Sequence, residues 1–375
     1  MHPSCVFKKA RNLLPIAFLG LRLRGVMAGK RAGGDRWPRS SAILSIIAAC
    51  VLAVPDAHAD ENGISFWVPG LFSSLAAAPV SPGWTLSTTF YHTSVTDGGQ
   101  VSRSYDLRVR RIPVSATINV DAGLSADANL FLISPTYTFE TPVLGGQFSA
   151  GLMTVVGSMS TGLSAAANGT LSTPFGGLAF ANTGNIDQSV FGIGDLFPQL
   201  GLRWNFGVHN LMTYVTGDIP VGYYNSAGLA NIGIGHGAID AGGAYTYLNP
   251  KARQEISATL GFTYNFQNAA TDYQNGVDMH LDIGAAQFLN EHLFVGPAGY
   301  LYKEIGCDAG ATPAQGCFQS QVMGAGPQIG LLFPIAGKQG YVNLRGYKEF
   351  AAENRPSGFN VWVSFTITGA PPAHH

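Results

Sequence analysis

The sequence predicts an all-β protein, a transmembrane antiparallel β-barrel of about 12 strands with short periplasmic turns and long outer loops. Three observations carry that prediction. Of 375 residues, 46% are hydrophobic, only 11% are charged and 48 are Gly, which is less than half the charge of an ordinary soluble domain. Apolar and polar residues alternate with period two over unusually long runs. Long and short connections between those runs also alternate along the chain. The composition excludes disorder, which needs high charge, and a coiled coil, which needs abundant Glu, Lys and Arg. With 21 basic and 22 acidic residues there is no nucleic-acid footprint.

Residues 1–59 differ from the rest. They hold nine basic residues and two acidic ones (Asp35 and Asp56), so 60–375 carries 12 basic against 20 acidic, a formal charge of −8. Lys30 to Arg39 form a basic region, Ala42 to Val54 an apolar one, and Ala57-His58-Ala59 a cleavage site before Asp60. That is a secretory signal of ordinary length if it begins at Met27, with the preceding residues an N-terminal extension. A lipoprotein signal at Ile47-Ala48-Ala49-Cys50 is the rival reading, disfavoured because the apolar run continues to Val54. Elsewhere no run approaches the ~18 apolar residues a spanning helix needs.

Residues 60–83 form a separate segment, with Phe66, Trp67, Leu71 and Phe72 set among Pro and Gly. Two readings stay open: a plug folded into the lumen, or an apolar periplasmic tail packed beneath the barrel. The barrel itself is expected over 84–368, followed by a tail at 369–375.

The strands are read at 84–95, 114–139, 147–158, 195–206, 210–222, 236–248, 255–266, 277–288, 293–304, 319–333, 340–350 and 359–368. Between Ala116 and Leu132 every even position is apolar, and every odd one except Phe131 is polar or Gly. From Glu255 to Phe266 there is no exception. Longer polar or Gly-rich connections are expected at 96–113, 159–194, 223–235, 267–276, 305–318 and 351–358, and tight turns between the other strand pairs. A soluble sandwich would also alternate, but its polar face would be charged. Here it is Thr, Ser, Asn and Gly, which suits a lumen. Trp84, Phe90, Trp204, Phe206, Tyr245, Tyr247, Phe266 and Phe359 fall where aromatic girdles are expected.

Candidate lumen or ligand residues follow from this alternation. Asp278, His280 and Asp282 share a face because side chains two apart do so. They read as a site for a cation or polar head, or as a hydrated wall whose Asp residues pair with Arg203 or Arg345. Tyr341, Arg345 and Tyr347 set an Arg between two Tyr, able to stack on and hydrogen-bond a phenol, or simply to pack the wall. Cys307 and Cys317 bracket a Gly/Ala/Pro loop, and in an oxidising compartment a loop disulfide is expected. Gly233-Ile234-Gly235-His236-Gly237 lacks the Lys and the strand–helix context of a phosphate loop. No cofactor, metal or nucleophile-elbow motif occurs, although His92, His236 or His280 beside a Ser leaves a hydrolase as a minor reading.

Several stretches resemble a known family: Gly63 to Phe72, Asp195 to Pro198, Thr216 to Val221, Gly233 to Asp240 and Ala351 to Pro356. They are similar to the outer-membrane family associated with meta-pathway phenol degradation, which includes sphingosine-induced outer-membrane proteins. The resemblance covers about 60–368 and implies a barrel of the bacterial outer membrane that takes up hydrophobic or aromatic compounds and is not an enzyme. Its partners would be outer-membrane lipids, a small apolar substrate and the barrel-assembly machinery. A non-transporting envelope-integrity or adhesion barrel is the alternative. The Cys307–Cys317 loop and the long N-terminal extension look particular to this chain.

Overall fold

The computed structural model describes residues 65–109, 112–310 and 319–369. The signal segment, Met27, Cys317 and the C-terminal tail lie outside the described residues. The described residues form fourteen strands: β1 (Gly83–Val109), β2 (Ile112–Thr138), β3 (Gln147–Thr173), β4 (Gly176–Phe206), β5 (His209–Asp218), β6 (Ala238–Asn249), β7 (Gln254–Asn265), β8 (Tyr273–Gln274), β9 (Asp278–Phe288), β10 (Leu293–Glu304), β11 (Ala309–Gly310), β12 (Gln321–Ile335), β13 (Lys338–Glu353) and β14 (Ser357–Thr368). Twelve of them close an antiparallel barrel, with β1 bonded to both β2 and β14, while β8 and β11 pair separately in a loop. Among the described residues no helix is long and apolar enough to cross a membrane.

β7 shows why the ring closes as it does. Ile256, Leu260, Phe262 and Tyr264 are exposed on the outside, while Glu255, Ser257, Thr259, Thr263 and Asn265 are buried inside. An isolated barrel in water would not be stable with this outer face. Hydrocarbon against it removes the cost, and the closed ring presents no open sheet edge to lipid. The eight expected girdle aromatics all point outward, Trp84, Phe206 and Tyr245 among the exposed ones.

Where loops are expected, residues 96–109, 112–113, 159–173 and 176–194 are instead strand. β1 pairs with β2 residue by residue from Gly83↔Thr138 to Val109↔Ile112, and β3 with β4 to Thr173↔Gly176. β14 accompanies β1 only as far as Thr96, and β5 accompanies β4 only from Gln199 onward. A four-stranded sheet therefore projects from the long-loop end, with roughly 40 Å of strand beyond Thr96 at ~3.3 Å per residue. Its small residues and polar surface imitate loop composition, which explains the misreading.

This sheet is turned inside out relative to the barrel. In β2 the even positions face inward throughout, from Thr138, Leu132 and Ala128 to Val114. Below residue 131 the outward positions are apolar (Phe131, Ile133, Tyr137) and the inward ones polar (Ser134, Thr136, Thr138). Above it the outward positions are polar (Asn129, Asp127, Ser125, Asp121, Asn119) and the inward ones apolar. The outward polar residues bond across strands: Ser102 Oγ to Asn119 Oδ1 at 2.6 Å, Asn119 Nδ2 to Asn168 Oδ1 at 3.0 Å, and Ser160 with Ser189 at 2.7 Å. Leu163, Leu229, Ala122, Leu124 and Ile186 cluster on the inner side. The even face of 116–130 is thus not a lipid face. Phe131, its ring tilted against Phe90 with centroids 5.1 Å apart, marks where the reversal occurs.

Candidate functional site

The lumen is occupied by the chain's own N-terminal segment, residues 65–82. Val68-Pro69-Gly70-Leu71 makes a turn closed by Leu71 N–H to Val68 C=O at 3.2 Å. Pro at the first central position presets φ, and Gly70 at φ +89° takes the left-handed conformation the second requires. A Cβ on Gly70 would also press within 3.1 Å of the Tyr300 ring. Conformation and space therefore both demand glycine there.

Polar groups of the wall grip this turn from two sides. Asp282 accepts the N–H of Gly70 at 2.9 Å and of Phe72 at 3.2 Å. Arg345 donates to the carbonyls of Gly70 (3.1 Å) and Leu71 (3.0 Å) and to Ser73 Oγ (3.1 Å). Farther along, Glu255 accepts the N–H of Leu75 at 2.8 Å and also bonds Ser257, Thr246 Oγ1 accepts that of Ala77 at 2.9 Å, and Gln328 donates to Ser74 Oγ at 2.7 Å. Each bond to a charged partner contributes about 1.5–3 kcal/mol against a lost one.

Apolar packing completes the grip. Trp67, 2% exposed, stacks on His280 with centroids 3.6 Å apart and planes 11° apart. Phe72 and Tyr214 lie against it at 5.7 and 6.1 Å, and Phe66 meets Phe197 at 5.8 Å. His280 Nε2 lies 2.9 Å from Asp240 Oδ2 and 3.3 Å from the Tyr214 hydroxyl. Thr263 donates to the same Asp240 oxygen at 2.7 Å.

The structure brings together most of the residues picked from sequence. Phe66, Trp67, Phe72, His280, Asp282, Arg345 and Tyr347 gather around the segment. Tyr347 lies 5.0 Å from Tyr300, and Arg345 also sits 5.1 Å over the Trp362 ring. Asp278 is inside but bonded to Asn265 at 2.8 Å, nearer the long-loop end. Tyr341 faces inward and stacks with Phe294 at 6.4 Å. Arg203 stands at the short-turn end, donating to Ser149 Oγ at 3.3 Å beside a cavity lined by Ala77, Pro79, Asn205 and Asn210. The expected pairing of Asp with Arg203 or Arg345 gives way to a different arrangement. Asp282 and Arg345 hold opposite ends of the Leu71–Phe72 peptide group, one by its N–H and the other by its carbonyl. Cys307 is disulfide-bonded, and its expected partner Cys317 lies outside the described residues.

Glu255, Thr246, Asp240, Tyr214, Gln328 and Trp362 were not singled out from sequence. All but Trp362 are polar-tipped residues on the inward register of an alternating strand, which is the signal that could have found them. The segments around Asp195, Asp218 and Gly233 converge at the long-loop end, where Asp195 accepts the N–H of Gly222 (2.7 Å) and Ile234 (2.8 Å). His92 bonds Asn129 and His236 the Gly237 carbonyl. Among the described residues no group of three or more His, Cys, Asp or Glu could hold a metal ion.

A family model described as "Putative MetA-pathway of phenol degradation" matches residues 96–365. The chain belongs to that family. In three dimensions this family member is similar to the COG4313 outer membrane channel of Pseudomonas putida F1. The TM-score is 0.52 at 14% identity, covering 78% of this chain and 97% of that one. At that identity the likeness shows the fold. A FadL homologue of Pseudomonas aeruginosa aligns with a TM-score of 0.37 at 7% identity, over 76% of this chain and 89% of that one. The CymD monoaromatic hydrocarbon channel aligns at 0.34 and 11%, over 79% and 90%. No curated protein matches this family member in sequence.

Proposed function

We propose that this protein is a bacterial outer-membrane channel for passive uptake of small hydrophobic or aromatic compounds, with residues 65–82 as its plug and no catalytic role. The carrying observation is the aromatic segment seated in the lumen of a barrel whose outer face is apolar. An ion-selective pore needs open rings of charge that bind and release ions. Here the inward acids Asp282, Glu255, Asp240 and Asp195 are engaged by backbone amides, a hydroxyl or His280. The inner face of the projecting sheet, with Ala122, Leu124, Ala128 and Leu130, leads toward Leu132 and the aromatic cluster. An apolar solute gains by leaving water at every step of that path.

The family description and the COG4313 fold support the same reading. The surrounding partners would be outer-membrane lipid and, during assembly, the barrel-inserting machinery. Deleting residues 65–80 tests the proposal through uptake of a radiolabelled phenol or long-chain amine by intact cells. A changed rate is expected. Unchanged uptake both in that variant and in cells lacking the protein would sink the transport reading. The projecting sheet favours a second one, an envelope-integrity or adhesion barrel. That reading predicts no apolar flux in reconstituted vesicles and a phenotype lost when the β1–β2 and β3–β4 hairpins are shortened.

A further inference from the structure

Asp218 stands apart from the other inward acids. It ends β5 on the inward register of Asn210, Met212, Tyr214 and Thr216. The residue is only 8% exposed, and neither of its carboxylate oxygens has a hydrogen-bond partner. A second acid, Asp195, is itself buried and near enough for its charge to act on Asp218. Their chain neighbours Leu196 and Ile219 exchange backbone bonds at 3.2 and 2.9 Å, which sets the two carboxylates diagonally across β4 and β5. Among the described residues no basic side chain bonds either acid, since the carboxylate of Asp195 meets backbone amides and that of Asp218 meets nothing.

Residues 219–237, which connect β5 to β6, fold over this pair. Oδ1 of Asp195 accepts the N–H of Gly222 at 2.7 Å and Oδ2 that of Ile234 at 2.8 Å, so one carboxylate ties both ends of the loop. The seat is tight. A Cβ on Gly233 would come within 2.9 Å of Asp195 Oδ1. From there Ile232 and Ile234 reach the aromatic cluster that holds Trp67, and Leu229 packs against Leu163 of the projecting sheet. The loop therefore covers the lumen from the long-loop end, and the acid pair lies at its root.

Two buried carboxylates without a counter-charge are costly, and buried charges are normally paired or bound to a metal. A proton on Asp218 would cover one of its oxygens and leave the other dry. A hard divalent cation covers both and can share a free lone pair of Asp195, with water or backbone carbonyls completing its shell. We infer that Asp195 and Asp218 bind a divalent cation of the Ca2+ type, which locks the 219–237 loop in its seat over the lumen. Ca2+ fits better than Mg2+ because it tolerates irregular shells of six to eight oxygens, whereas Mg2+ demands a near-ideal octahedron. With only two acids the expected affinity is that of extracellular Ca2+ modules, a Kd of about 0.1–1 mM. The inference holds whatever solute the barrel passes.

The test titrates CaCl2 into the full chain, purified in an uncharged detergent and stripped with EDTA, and follows binding by calorimetry. Faster migration unheated than boiled establishes that each barrel is folded. One Ca2+ per chain is expected for the wild-type protein and for Asp187→Asn, which removes an exposed acid of the projecting sheet. Asp218→Asn is expected to abolish binding, with Asp218→Ser as the replacement if the first variant does not fold. Hydrogen exchange supplies a second readout. At about 5 mM CaCl2 the amides of 219–237 should exchange roughly 5- to 50-fold more slowly than in EDTA, by mass action at that affinity. The Asp218 variant should show no such difference. No Ca2+ binding by the folded wild-type chain overturns the site. So does equal binding in the Asp218 variant, equal loss in Asp187→Asn, or exchange across 219–237 that Ca2+ leaves unchanged.

Discussion

The outward and inward faces of β7 and of the upper half of β2 obey the same alternation and opposite chemistry. In β7 the outside is Ile256, Leu260, Phe262 and Tyr264, and the inside holds Glu255, Thr259 and Asn265. In β2 above Phe131 the outside is Asn129, Asp127, Asp121 and Asn119, and the inside is Leu130, Leu124 and Val120. Period two therefore identifies a strand but does not say which face meets lipid. What surrounds the strand decides that. Hydrocarbon selects apolar residues outward at one height, and water selects polar ones outward at the next. The strand crosses the change of solvent without altering its pleat.

The comparison breaks most sharply if one charge is placed on each outer face. Phe262→Arg puts a cation against hydrocarbon and is expected to destabilise the barrel by about 2–4 kcal/mol. Asn119→Arg, on the outer face of the projecting sheet, is expected to stay within about 0.5 kcal/mol. Unfolding titrations in lipid vesicles measure both. Equal costs would mean that the projecting sheet lies in lipid too, and the assignment of the two regions would fail.

Reciprocal swaps on the inner faces should cost somewhat less. Asp282→Leu gives the barrel interior the apolar character of the sheet and strands the amides of Gly70 and Phe72. We expect a loss of about 1.5–3 kcal/mol in the hold on the N-terminal segment, read as faster protease cleavage within 65–82 in an otherwise folded barrel. Leu163→Asp does the converse, placing a carboxylate beside Leu229 and Ile186. About 1–3 kcal/mol of local stability should be lost, seen as faster hydrogen exchange across 219–237. Cleavage or exchange at wild-type rates would show that these contacts do not hold their segments.

How much of this was legible in the sequence follows from the same physics. Twelve barrel strands, the girdle aromatics and the inward Asp278–His280–Asp282 register could be read because each depends on periodicity together with the residue types that fill each face. The projecting sheet could not, because residues such as Ser102, Ser104, Asn119 and Asn168 have loop-like composition, and only the register reveals that they form cross-strand rows. The grip on the N-terminal segment was half legible. Arg345 and Asp282 stand out as charges on alternating strands. Glu255 and Gln328 acquire their roles from partners about 180 and 254 residues away, Leu75 and Ser74. No local pattern encodes a contact at such separation.

The smallest expected effect concerns the boundary itself. Phe131 is the one outward residue that interrupts the polar series of 117–129, and it lies beside Phe90 with Asn129 one step above and Ile133 one step below. If the change of solvent falls at this height, Phe131 occupies the interface, where substitutions on the outer face cost only about 0–1 kcal/mol. Phe131→Asn should therefore shift unfolding by less than Phe262→Asn, although both remove an exposed aromatic from the same side of the wall. The apolar belt would simply end one residue lower on β2. A cost for Phe131→Asn as large as that at Phe262 would place residue 131 deep in hydrocarbon. The polar row of His92, Asn129 and Ser158 directly above it would then have to lie in lipid as well, which no cross-strand hydrogen bond of the His92–Asn129 kind could offset.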